Sequence, residues 1–325
     1  MSAPATTTRG LGRTRGLRAG LLGADSAAHL VTLFFATTVL AVTLFLVWEL
    51  WTHSALSRAK FGFHFLTGTN WDPVAGDFGA LPFIYGTLLS SLLALMISTP
   101  VGVGAAIFLA ELAPAGLSTA FTFLVELLAA IPSVILGLLS IFTLIPLMRQ
   151  YVDPFLKHTL GFTGLFAGPA SGYGYLTAAV ILAIMTLPYI ISISREALLE
   201  VPRDQREAAL ALGATRWEST IQIVVPYARL GIFGSIFLGL ARALGETMAV
   251  TMVIGNDPAI HASLLAPGYT IASVIANEFS EAGGDLHLSS LVEIGLVLFF
   301  LTIVINALAR LLIVATTKKG TGRIT

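Results

Sequence analysis

The sequence predicts an all-α integral membrane protein with six transmembrane helices and both termini cytoplasmic. Three observations lead there. Of 325 residues, 56% are hydrophobic and only 11% charged, against about 25% charged in soluble domains. Runs of about 20 or more apolar residues match a ~30 Å hydrocarbon layer, where helices satisfy their own peptide groups. Lys and Arg, finally, segregate between alternate loops.

Residues 1–27 read as a flexible basic cytoplasmic tail carrying Arg9, Arg13, Arg15 and Arg18. The apolar run after them is too long for a signal peptide's core. A first span covers about 29–51, with Trp48 and Trp51 suited to an interfacial belt. Residues 52–81 form a polar outer loop, rich in turn formers such as Asn70, Asp72, Pro73, Gly76 and Gly79. The second span is 82–110. A turn at Pro114 and Gly116 leads into the third, 118–148, where Pro132 predicts a kink or a broken helix. Another outer loop, 149–172, precedes the fourth span, 173–193, which carries Pro188.

Residues 196–229 are polar, basic and helix-prone, and read as a cytoplasmic loop. A fifth span (230–254), an outer loop (255–287) and a sixth span (288–316) complete the transmembrane domain, 28–316. A short cytoplasmic tail, 317–325, ends the chain. In this arrangement 13 Lys and Arg lie inside and 4 outside, with Arg242 within a span, the asymmetry that orients membrane proteins. In the acidic loop 255–287, Ile271, Val274, Ile275 and Phe279 recur at helical spacing. They predict an amphipathic helix on the outer surface, or else a solvated turn.

Two stretches carry chemistry. In GLARALGETMAV, Arg242 and Glu246 stand i,i+4 in the fifth span, where a charge costs about 2.5–3.5 kcal/mol on insertion scales. On one helix face they can partly compensate. Gly231, Ser235 and Gly239 continue that face as a small-residue stripe that lets a neighbouring helix approach. Two readings stay open: a packing pair, or an arginine that contacts an oxyanion with Glu246 tuning or gating it. In the second stretch, EAALALGATRWESTIQIVVP (207–226), Gly213 divides two short helices. Glu126 and Pro132 in the third span are candidates for gating or packing. Glu111 and Arg195 are expected at helix ends, reaching water. Asn306 suits interhelical packing, and Glu293 lies near the outer end of the last span. There is no catalytic constellation, no HExxH and no Walker loop. With no cysteine either, no metal, cofactor or nucleic acid is expected on this chain.

The 207–226 segment resembles the EAA loop of ATP-binding-cassette importer permeases, through Glu207, Ala208, Ala209, Gly213 and Pro226. Nearly the whole chain is similar to the PstC family of phosphate-importer permeases. The resemblance rests on NWDP and FGALPFIYGTL, PVGVGAAIFLAE, LLAAIPSVILG, RALGETMAV and TIASVIANEF. It implies the type I importer permease fold in the bacterial plasma membrane, with 207–226 inserting into an ATPase groove. It also implies a heterodimer with a PstA-like permease, two PstB-like ATPase subunits that use ATP and Mg, and a PstS-like phosphate-binding protein. Arg242 and Glu246 would lie on the path of inorganic phosphate. A permease for another oxyanion, molybdate or sulfate, is the nearest alternative. An ion-coupled secondary transporter is more distant, since it has no use for an ATPase-docking loop.

Overall fold

A computed structural model describes residues 12–321 of the backbone, and side chains from 27 to 311. The chain divides into two units, Met1–Thr52 and His53–Thr325. The described residues of the first belong to one helix, α1 (Gly12–His53). Its membrane-length part, Ala27–His53, exposes apolar side chains along its whole length. Helical backbone thus begins inside the stretch expected to be a tail; residues 1–11 lie outside the described residues.

In the second unit, residues 53–81 are more ordered than their turn formers imply. Two short helices, α2 (Ala55–Phe61) and α3 (His64–Thr67), precede a hairpin of β1 (Trp71–Asp72) and β2 (Asp77–Phe78). Asp72 Oδ1 accepts the N–H groups of Val74 and Ala75 at 2.8 and 3.0 Å, which closes the turn. Phe65, Trp71 and Phe78 are buried together. Burial of about 150–250 Å² per aromatic ring is what organises so polar a segment.

Next come α4 (Leu81–Ile107), extended by a π turn at Phe108–Leu112, and α5 (Ala115–Ala130). The latter is bent by 92° from α6 (Ser133–Phe142). Ile131 and Pro132 are both extended, as expected of a proline and the residue before it. This is the break predicted at Pro132. The loop expected at 149–172 is partly helical. After α7 (Leu144–Leu147), a π turn at Met148–Val152 leads into α8 (Asp153–Leu160).

Helix α9 (Tyr175–Leu199) is the centre of the bundle. In its apolar window 56% is buried, against 28% to 33% for the other long helices of this unit. Two short helices follow, α10 (Arg203–Ala211) and α11 (Arg216–Ser219), and a π turn at Thr220–Val224 leads into α12 (Val225–Gly245). The fifth span therefore ends earlier than its hydropathy implies. Glu246 is extended (φ −70°, ψ 129°), and a separate turn, α13 (Met248–Thr251), follows.

Helix α14 (Ile271–Glu278) contains the expected apolar stripe, and its first turn is packed inward rather than solvated. Ile271 and Val274 are fully buried with Phe83, Trp71 and Leu291. The reason is the hairpin, whose aromatic residues pack over it. The last helix, α15 (Asp285–Thr321), starts three residues before the expected span and runs beyond it; residues 322–325 lie outside the described residues. Among the described residues five helices are long and apolar enough to cross a membrane, or six counting α5 and α6 as one broken span.

Candidate anion pathway and coupling surface

The small-residue stripe on α12 packs against α9. A Cβ built on Gly231 would lie 2.3 Å from the Cβ of Ala197, so only glycine permits this approach. Ser235 donates to the Ile232 carbonyl at 2.7 Å and accepts from Ser194 at 2.7 Å, both hydroxyls fully buried. Gly239 faces Ile190 and Thr186. The same antiparallel register then brings Arg242 to Tyr189, its guanidinium carbon 4.8 Å from the ring centroid.

The Arg242–Glu246 pair does not form as spacing predicts. Helix α12 stops at Gly245, so the two residues do not share a helical face, and no ion pair joins them. Glu246 Oε1 accepts the Ala249 N–H at 3.4 Å instead, on the first turn of α13. Arg242 sits in the last turn of α12, where the helix dipole favours a cation. Its Nε is buried without a partner. The guanidinium is thus held by an aromatic face and a helix end rather than neutralised by a carboxylate. Such a group can accept an oxyanion without first breaking a salt bridge.

Gly213, at φ +90°, separates α10 from α11 as the sequence predicts, and a Cβ there would meet nothing. Thr215 and Glu218 form a capping box at α11, two Thr215 donors each 2.8 Å from Glu218 Oε2. These hydrogen bonds hold the Glu218 carboxyl below its ordinary range. Glu207 and Ala208 are exposed and Ala209 is buried. Leu210, Leu212 and Trp217 are large apolar side chains left exposed here. Pro226 follows the π turn, which widens the helix where a proline ring would press on the carbonyl of Gln222.

Glu126 is exposed on α5, among exposed Phe123, Leu124 and Leu127, and Pro132 is exposed at the bend. The structure does not bring either of them to Arg242. Among the described residues no cluster of three or more His, Asp or Glu is placed to hold a metal.

Sequence reasoning missed two contacts. Tyr189 lies within an unremarkable apolar run, and only the α9–α12 register brings it to Arg242. Glu111 was expected to reach water. It is instead paired with Arg206, 95 positions away, with Arg206 Nη2 2.6 Å from Glu111 Oε1. Arg195, by contrast, has a buried Nε without a partner. No local spacing signals any of these.

Comparison with known proteins agrees with this geometry. Residues 98–318 match the family "Binding-protein-dependent transport system inner membrane component". The chain is 49% identical over 288 residues to the phosphate transport system permease protein PstC of Mesorhizobium japonicum, covering 86% of this chain and 88% of that one. PstC of Pasteurella multocida is 44% identical over 89% of this chain and 91% of its own. PstC 2 of Mycobacterium tuberculosis is 40% identical over 85% and 87%. Among solved structures, an importer of the acidic polysaccharide alginate superposes with a TM-score of 0.57 at 16% identity, covering 89% of this chain and 98% of that one. The inward-facing methionine transporter MetNI gives 0.53 at 18% identity, covering 72% and 94%. The helical spans, the divided loop around Gly213 and these relatives agree: the chain belongs to the PstC family of binding-protein-dependent inner-membrane permeases.

Proposed function

We propose that this chain is a membrane-spanning permease subunit of an ATP-driven inorganic phosphate importer and forms half of its translocation pathway. It is a non-catalytic, multi-pass subunit of the bacterial plasma membrane. ATP is hydrolysed on a separate subunit, and substrate is delivered by a binding protein. In finer terms, the partners are a PstA-like permease, two PstB-like ATPase subunits and a PstS-like phosphate-binding protein. Close relatives over most of the chain support this reading, and so do the exposed Glu207, Leu212 and Trp217 at the divided loop. Both termini are then cytoplasmic, with the hairpin and α14 outside.

One observation carries the assignment of the path: Arg242 lies at the α9–α12 seam, and no carboxylate among the described residues pairs with its charge. Its bidentate donors offset part of the desolvation of a tetrahedral anion. ATP-driven closure of the ATPase pair moves the coupling segment, and the membrane helices alternate between outward and inward access. Binding at Arg242 must be weak enough to release the ion, so selectivity over sulfate or molybdate rests mainly on the binding protein. Glu126 and Pro132, at and beside the α5–α6 break, are the proposed gate.

The test is phosphate uptake by proteoliposomes holding the four-protein complex, comparing wild type with Arg242→Gln. Charge-assisted contacts of about 1.5–3 kcal/mol predict uptake lower by about 10- to 100-fold, with assembly and ATPase activity kept. Unchanged uptake would reduce Arg242 to a packing residue. Wild-type uptake of sulfate or molybdate in place of phosphate would reassign the substrate.

A further inference from the structure

Arg206 is the most heavily bonded side chain near the divided loop, and the family motif does not include it. Its Nε donates to both oxygens of Glu111 at 3.2 Å, and Nη2 donates to Glu111 Oε1 at 2.6 Å. Nη1 donates to the Val201 carbonyl, and Nη2 also to the Leu198 carbonyl at 2.7 Å. Leu198 lies in the last turn of α9 and Val201 just beyond it, where helix carbonyls lack partners within the helix. Glu111 lies in the π turn that ends α4. One planar guanidinium therefore ties α10 to the ends of both α4 and α9. Lysine could not reproduce that fork geometry.

The surroundings are those of a joint. Arg206 and Glu111 are 20% and 11% exposed. Cavities of about 240 and 370 Å³ flank the pair, one towards Leu210 and Arg216, the other towards Ala110 and Arg203. Around the joint α10 is otherwise sparsely packed, with Ala209 its buried side chain. We infer that the Arg206–Glu111 pair is the latch through which movement of the coupling segment reaches the membrane helices. This rests on the importer reading above. The physical route runs from α10 through Arg206 to the end of α9. It continues along α9 to Tyr189 and ends at Arg242 on α12. Arg206 is a positioning residue in this account; it touches no substrate.

The latch predicts uncoupling rather than simple loss. In proteoliposomes of the four-protein complex, phosphate moved per ATP hydrolysed is measured for wild type, Arg206→Gln, Arg206→Lys, Glu111→Gln and the double variant. Arg206→Gln and Glu111→Gln are each expected to lower that ratio by about tenfold, while ATP hydrolysis per assembled complex stays within about twofold of wild type. The double variant should be no worse than the single ones, because both remove one interaction. Arg206→Lys should fall between. A purely structural role would lower uptake and hydrolysis together and leave the ratio at its wild-type value, which would overturn the inference.

A second measurement keeps the test open where Arg206→Gln fails to assemble. The chain has no cysteine, so spin labels at Ala110→Cys and Arg203→Cys report the distance across the latch in an otherwise native sequence. A latch holds that distance constant between ATP-bound and nucleotide-free complexes. Separation of the two labels on ATP binding would sink the idea. Wild-type liposomes that take up no phosphate would instead count against the importer reading itself.

Discussion

Tyr189 decides how Arg242 presents its charge. Removing the ring forfeits a cation–π contact of about 0.5–2 kcal/mol. Tyr189→Leu should therefore lower phosphate uptake by about 2- to 30-fold, whereas Tyr189→Phe, which keeps the aromatic face, should stay near wild type. Equal loss in both variants would show that the hydroxyl, and not the ring, matters. At this scale the sequence was legible where a residue is chemically out of place. Arg242 and Glu246 stood out as charges in an apolar run. Their mutual geometry was not legible, because i,i+4 spacing assumes a helix that continues. The helix stops at Gly245 and Glu246 is extended, and the next turn, α13, packs closely on α6, where Ala249 Cα lies 2.9 Å from a Cβ built on Gly137.

Elements follow from hydropathy when they are long and from tertiary packing when they are short. The apolar runs located the spans to within several residues, and Pro132 located the break. Helices α2 and α3, of 7 and 4 residues, span at most about two turns, too few to show a period. Their signal was instead the buried aromatic set Phe65, Trp71 and Phe78. Three element-scale predictions follow from the seam and the loop. Gly231→Leu should prevent the α9–α12 seam from closing and abolish complex assembly, as seen by co-purification. Ser235→Ala should cost only about 0.6 kcal/mol, typical of hydrogen bonds within membranes, and leave assembly intact. Gly213→Ala places a side chain at φ +90° with open space around it, so its cost is backbone strain of about 1–3 kcal/mol. It should weaken binding of the ATPase subunit about 5- to 150-fold if the strain is relieved by reshaping the loop, read by titrating that subunit onto the purified permease.

At the scale of the whole molecule, the exposed side chains of the spans are overwhelmingly apolar, as a lipid or protein environment requires. Glu126 breaks that pattern, and a carboxylate facing hydrocarbon costs several kcal/mol. It must therefore face a second permease or water. Glu126→Cys in the assembled importer should react with a charged, membrane-impermeant thiol reagent from one side, and phosphate should slow that reaction. Labelling that is absent in every nucleotide state would place Glu126 at a dry subunit interface. Composition alone revealed the spans, and the EAA pattern marked the loop divided at Gly213. The joint between that loop and the bundle was hidden, because Glu111 and Arg206 meet only after α4 and α9 have packed.

The π turn at Thr220–Val224 sets the phase of everything beyond it. An α-helix advances about 100° per residue, so the residue accommodated there determines which azimuth α12 shows to α9. Rewinding that turn as regular α-helix, with every residue kept, would rotate the remaining helix by about that angle. Gly231, Ser235, Gly239 and Arg242 would all leave the seam together, with no change in composition or hydropathy. A single deletion within 227–230 would turn the same face in the opposite sense. The angular setting of Arg242 is thus encoded at the base of its helix, beside the divided loop, some twenty residues before the arginine itself.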